Sequence, residues 1–263
     1  MATVGIKPMA FGWRVFGLGI MALGVVNLAW GDFDSGQPVP RWFPAHAEIA
    51  AAAALFLLAA GAAIEWRKTA AWAAAALAAY YALVVVVLEH GRILLAHPAS
   101  FGSYSNPCYQ LAVAAGALIV FARNADIDAV QAARLARIGR IAFGLCAVMF
   151  GLAHFVYMNF TAPLVPAWLP PSQEFWGYAT GAAHIAGGIA IITGVQARLA
   201  AILLTVMYAS FTPLVHIPQL FAGHVTHFTW SENALNIVLT GAAWIVADSL
   251  AVRRSASSPG TAG

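Results

Sequence analysis

Residues Ile49 to Ile64 read IAAAAALFLLAAGAAI, without a charge or a hydrogen-bonding side chain on any face. A helix at a water interface needs a polar side, so this stretch is suited to lipid or to the interior of a helix bundle. Working outward along the chain, comparable apolar runs lie at 12–31, 46–65 (which contains this stretch), 70–91, 106–123, 138–158, 174–195, 198–217 and 230–248. Each is near the roughly 20 residues that a bilayer requires. The composition agrees, at 62% hydrophobic and 9% charged, with a mean hydropathy of +0.79. Ten acids and thirteen basic residues are too few to cover a soluble surface. Aqueous enzymes, disulfide scaffolds, coiled coils and disordered chains are thereby excluded. The expected fold is an all-α membrane protein with eight transmembrane helices.

The basic residues orient it. Lys7, Arg14, Arg67, Lys68, Arg123, Arg134, Arg137, Arg140, Arg198, Arg253 and Arg254 fall on one side of an eight-span arrangement, and only Arg41 and Arg92 on the other. Basic residues near span ends are retained in the cytoplasm, so both termini are expected there, in a multi-pass protein of a bacterial-type inner membrane. The net charge of +3 and pI of 9.1 report that orientation and give no sign of a nucleic-acid surface. Lys7, Arg14 and Ala29-Trp30-Gly31 imitate a signal peptide, but the first span has a counterpart deep inside the chain and is read as part of the fold.

That counterpart belongs to an internal duplication. Val39-Pro40-Arg41-Trp42-Phe43-Pro44, followed by Glu48, recurs as Val165-Pro166-Ala167-Trp168-Leu169-Pro170, followed by Glu174, at an offset of 126. At that offset Gly61 falls on Gly187, His90 on His216 and Ser105 on Ser231, while Gly17 and Gly24 reach Gly144 and Gly151 at 127. The expected organisation is two four-helix bundles, residues 1–123 and 138–250, in a parallel repeat about an axis along the membrane normal. A cytoplasmic linker at 124–137 joins them as a short amphipathic helix or a plain tether, and 251–263 forms a disordered tail.

Arg and spaced Gly in the first helix, a Pro-Trp outer loop, and Glu then Gly in the second helix resemble the DoxX-like membrane proteins. Arg140, Gly144, Gly151, Glu174 and Gly187 carry the pattern in the second copy, and Arg14, Gly17, Gly24, Glu48 and Gly61 in the first. The family takes its name from a subunit of a quinone-linked thiosulfate oxidoreductase, and related members are proposed to assist redox systems. The resemblance therefore implies a quinone-associated oxidoreductase or its membrane subunit, or else a non-catalytic assembly or anchoring partner of a redox system. It also implies a redox partner protein and leaves homo- and hetero-oligomers open. The chain departs from the usual single unit by fusing two.

Polar groups at membrane depth are costly and mark candidate sites. In the second copy His154, Glu174 and His216 are the candidate hydrogen-bonding and proton-transfer residues, with His184, Glu232 and Asn236 beside them and Trp168 and Trp176 at the rim. Such a set can hydrogen-bond a quinone's oxygens and relay protons. Equally, Glu174 can cap a helix and the Trp residues form an interfacial belt. His184 lies about 15 Å below Glu174 by helical rise, with Leu58 at its place in the first copy. It can serve as a haem ligand with His154, as part of a proton path, or as a core histidine donating to a neighbouring carbonyl. The first copy gathers Asn27, Asp32, Glu48, Glu89, His90, Asn106 and Gln110 at the same level.

Quinone is thus the first cofactor expected and haem the second. His216, His224, His227 and Glu232 lack a metal-ligand pattern, so no metal is expected. Cys108 and Cys146 are read at opposite membrane faces, too far apart to pair, and no Cys-x-x-Cys occurs. A small-molecule permease is a third reading, suggested by the repeat and opposed by the lack of the mid-membrane Gly/Pro break that discontinuous transport helices need.

Overall fold

A computed structural model describes residues 11–251; the expected tail from 252 onward lies outside them. Every regular element in the described residues is helical. The long helices are α1 (Gly12–Trp30), α2 (His46–Ile64), α3 (Arg67–Ala96), α4 (Gly102–Asn124), α5 (Ala129–Val156), α6 (Gln173–Thr193), α7 (Ala197–Gln219) and α8 (His227–Ser249). Among the described residues seven, α1 to α7, are long and apolar enough to cross a membrane. The eighth begins with the polar run HFTWSENALN and is enclosed along most of its length by the others.

Local chemistry sets the ends. Asp128 Oδ1 accepts the Val130 and Gln131 amides at 2.9 and 3.0 Å and so starts α5. Helix α6 starts at Ser172, whose hydroxyl accepts the Phe175 amide, and α8 at a capping box between Thr226 and Thr229. Gly31 and Gly194, with φ of 62° and 84°, close α1 and α6 in the left-handed conformation that a Cβ disfavours. Because α5 runs unbroken from Ala129, the expected linker at 124–137 shortens to the few residues before it.

Each helix packs on the next in chain order, and α1 returns to pack along α8. Helices α4 and α8 also meet each other at the centre. Consequently α1 lies on α8 as α5 lies on α4. Close crossings use glycine. A Cβ on Gly17 would stand 3.0 Å from the Gly61 carbonyl oxygen, and one on Gly24 2.8 Å from that of Ala54. A Cβ on Gly144 would stand 3.0 Å from the Gly188 oxygen, and one on Gly151 2.5 Å from that of Gly181.

These contacts correct the register read from sequence. At the α1–α2 and α5–α6 crossings all four partners are 127 residues apart, so Gly61 corresponds to Gly188, while Gly187 faces Leu204. His184 accordingly stands where the first half has Leu57, not Leu58. Buried Ala70, Ala74, Leu77 and Tyr81 in α3 correspond in the same way to buried Ala197, Ala201, Leu204 and Tyr208 in α7. In α4 and α8 the spacing returns to 126, pairing buried Gln110 with Asn236 and Ile119 with Ile245. The Pro-Trp motif lies in a loop, where packing does not enforce register; the helix crossings do.

Two spans change pitch without breaking. Helix α3 widens to a π-helix over Tyr80–His90, and α7 over Thr212–His216. Widening redirects backbone carbonyls, and π-segments are often found at functional sites. In α7 the change is pinned by Asn236, whose Nδ2 donates to the Tyr208 carbonyl at 3.0 Å and to Thr212 Oγ1 at 2.8 Å.

Candidate functional site

The polar interior of the second half centres on two imidazoles. Helix α5 supplies His154 in its last turn, α6 supplies Thr180 and buried His184, and α7 supplies buried Tyr208. The His154 and His184 ring centroids are 5.0 Å apart, tilted by 51°. Phe150 meets His184 edge-on at 6.1 Å, and Tyr208 and Phe211 lie at 5.4 and 6.3 Å.

The hydrogen bonds fix the proton on each ring. His184 Nδ1 is 2.7 Å from the Thr180 carbonyl oxygen, and a carbonyl can only accept, so Nδ1 carries the proton. His154 Nδ1 lies 3.1 Å from the Gly177 carbonyl and 3.2 Å from Thr180 Oγ1. Thr180 Oγ1 is itself committed to the Trp176 carbonyl at 2.7 Å, which again leaves Nδ1 of His154 as donor. In the neutral form each Nε2 therefore keeps an accepting lone pair.

The remaining candidates are dispersed. Glu174 is exposed in the first turn of α6, and the cap there is Ser172. His216 ends the π-segment of α7; its carbonyl accepts Asn233 Nδ2 at 2.9 Å, and its Nδ1 is buried without a hydrogen bond. Asn236 acts on α7 through the Tyr208 carbonyl. Glu232 is half-buried, in electrostatic reach of Tyr109 and Asp34. Trp176 Nε1 donates to the Pro170 carbonyl at 2.8 Å. Trp168 is 72% exposed and lines an apolar groove of about 450 Å³ with Pro163, Leu164, Pro213 and Pro218. The structure thus joins His154 to His184 and leaves Glu174 and His216 apart from that pair.

A second polar cluster occupies the first half, and its centre is Asp34, a residue sequence reasoning passed over in favour of Asp32. The loop after α1 folds inward and buries Asp34 to 3% exposure. Its Oδ1 accepts the Gly36 amide at 2.8 Å and Gln110 Nε2 at 3.4 Å, while Oδ2 has no hydrogen bond. Burial pushes the Asp34 carboxyl above its ordinary value, offset in part by the Gly36 amide, His227 and Gln110. Nearby, His90 Nε2 donates to the Gly36 carbonyl at 2.9 Å, and Gln37 Nε2 donates to the Tyr80 hydroxyl at 3.0 Å. His227 joins the helices, stacking on Trp30 at 5.5 Å and facing Asn27 Oδ1 at 3.3 Å. An acid followed by two turn residues, Asp34-Ser35-Gly36, was the available signal, but a loop acid ordinarily faces water.

The two cysteines are neighbours, which corrects their assignment to opposite membrane faces. A Cβ on Gly139 of α5 would stand 2.8 Å from the Ala115 oxygen of α4, fixing the level at which these antiparallel helices meet. Seven residues outward from that contact lie Cys146 on one helix and Cys108 on the other. Phe150, one turn past Cys146, stacks at 4.6 Å on Tyr109, the residue after Cys108, which sets the two cysteines at one level. The sequence estimate failed because it placed Cys146 near the inner end of its span, whereas α4 and α5 bring it level with the outer turns of α4.

Residues 135–217 match the DoxX family. No curated protein and no solved structure matches the chain.

Proposed function

The chain is a DoxX-like membrane protein, and from that premise we propose that it is a quinone-associated oxidoreductase or the membrane subunit of one. The observation that carries the reading is the imidazole pair: each ring is tied to a carbonyl through Nδ1, which leaves an Nε2 acceptor in an aromatic-lined, apolar interior. A quinone carries two electrons and two protons between its oxidised and reduced forms. Towards it, His154 and His184 accept hydrogen bonds from hydroxyl groups and hold a proton at Nε2, and Phe150 and Tyr208 present ring faces and edges to a planar head group. Haem suits the pair less well, since two rings in contact at 5.0 Å have no layer between them for a macrocycle.

The matched helix crossings and the α1–α8 and α4–α5 contacts support two four-helix bundles in a parallel repeat, with α8 as the eighth span despite its polar start. Arg67, Lys68, Arg123 and Arg198 gather at the end opposite His154 and Asp34, which supports cytoplasmic termini in an inner membrane. A non-catalytic anchoring partner of a redox system is the second reading, favoured by the exposure of Glu174, the one predicted catalytic carboxylate.

Native mass spectrometry of the gently solubilised protein separates the two. The oxidoreductase reading expects a co-purifying lipid-soluble quinone, lost in His184→Phe. A bare polypeptide whose removal silences a co-purifying enzyme supports the anchoring role instead.

A further inference from the structure

Cys108 and Cys146 lie at one level of the α4–α5 contact, each about two turns outward from the Gly139–Ala115 crossing, where the first half of the chain meets the second. Cys146 is fully buried, and Cys108 also donates to the Tyr104 carbonyl at 3.2 Å. The pair adjoins the imidazole site. Phe150, one turn beyond Cys146, stacks on Tyr109 at 4.6 Å and meets His184 at 6.1 Å. Tyr208 also lies 5.4 Å from His184. Aromatic rings thus pack between the thiols and the imidazoles, and nothing in the chemistry described so far uses the sulfurs.

We infer that Cys108 and Cys146 form a two-electron dithiol that a quinone in the neighbouring imidazole site oxidises to a disulfide between α4 and α5. This rests on the quinone reading above. In the step two S–H bonds break, one S–S bond forms, and the electron pair and both thiol protons pass to the two quinone oxygens, giving one hydroquinone. No net charge appears, which suits an interior where an isolated ion is costly. The disulfide links the halves, and an external thiol returns it to the reduced state through mixed-disulfide exchange.

The test uses the full-length protein in lipid nanodiscs. After prior reduction it is exposed to decyl-ubiquinone or to diamide, then denatured, alkylated with iodoacetamide and weighed intact, with hydroquinone followed by absorbance. The expected result is two alkylated cysteines before oxidation and none after either oxidant, with one hydroquinone formed per chain. Cys108→Ser and Cys146→Ser should each keep one alkylated cysteine and yield no hydroquinone. Two free thiols after diamide would overturn the pairing itself. Thiols that diamide closes but a demonstrably bound quinone leaves reduced would overturn the exchange while leaving the quinone reading intact. Closure by diamide with no quinone bound would overturn that reading, and the exchange with it.

Discussion

His184 donates from Nδ1 to the carbonyl of Thr180 at 2.7 Å, one turn earlier in its own helix, and this bond decides which side of the ring is available to anything else. The imidazole is held as a single neutral tautomer with Nε2 accepting, next to a second ring held in the same sense.

Replacing His184 with Phe keeps the shape of the aromatic box and removes the acceptor. Binding of the reduced form, hydroquinone, is expected to fall by about tenfold or more, equivalent to about 1.4 kcal/mol for a lost hydrogen bond. The fold should survive, as checked by thermal unfolding in detergent. His184→Asn offers a shorter polar group and should recover less than half of the loss. Equal binding in all three proteins would remove the site.

The glycine crossings make a stability prediction with internal controls. Gly188→Leu drives a side chain into the Gly144 carbonyl and Val148, and should cost about 1 to 3 kcal/mol as overpacking. Gly61→Leu meets the Gly17 carbonyl and Met21 in the same way and should cost a similar amount. Gly194→Ala, with open space around its Cβ position, is penalised only by its left-handed backbone and should cost about 1 kcal/mol. Melting temperatures of the three variants test this ordering.

Asn236 ties α8 to the widened turn of α7. Asn236→Leu leaves the Tyr208 carbonyl and Thr212 hydroxyl without their donor, a loss of about 1 to 3 kcal/mol. Because Tyr208 borders His184, quinone affinity should fall along with stability. Unchanged affinity would separate the π-segment from the site.

Asp34 gives the pH dependence. Its carboxyl is raised by burial, so folding favours the protonated form. The stabilising contribution is complete below the ordinary carboxyl pKa and is lost as pH rises through the higher folded value. Asp34→Asn cannot ionise, yet keeps an oxygen for the Gly36 amide and Gln110. It should melt higher than the parent at pH 8, with the advantage shrinking toward pH 4. Asp34→Ala, which strands both donors, should melt lower at either pH.

Much of this architecture is written in the hydropathy. The charge-free run of α2 and the Ala-rich start of α3 reveal helices because lipid demands continuous apolar length. Gly17, Gly24, Gly144 and Gly151 were legible as contact points because small residues are what close helix crossings need. The register of α2 against α6 was not, because the loop motif Val39–Pro44 carries the sequence similarity while backbone contact at Gly61 and Gly188 sets the geometry. The site was legible in part. His154 and His184 stand out as imidazoles in apolar helices, whereas the burial of Asp34 depends on a loop turning inward, and the meeting of Cys108 with Cys146 depends on how far α5 slides along α4. Neither has a local pattern in the chain.

The central claim is that the His154–His184 pair holds a quinone cofactor, accepting hydrogen bonds at Nε2 from the hydroxyl groups of its reduced form. Its most direct test is native mass spectrometry of the parent protein and His184→Phe, extracted side by side in a mild detergent with the membrane quinone pool intact. The account predicts a quinone-sized mass increment on the parent that is absent or strongly depleted in the variant. A parent polypeptide that carries no quinone, or a variant that retains it at the same occupancy, would contradict it.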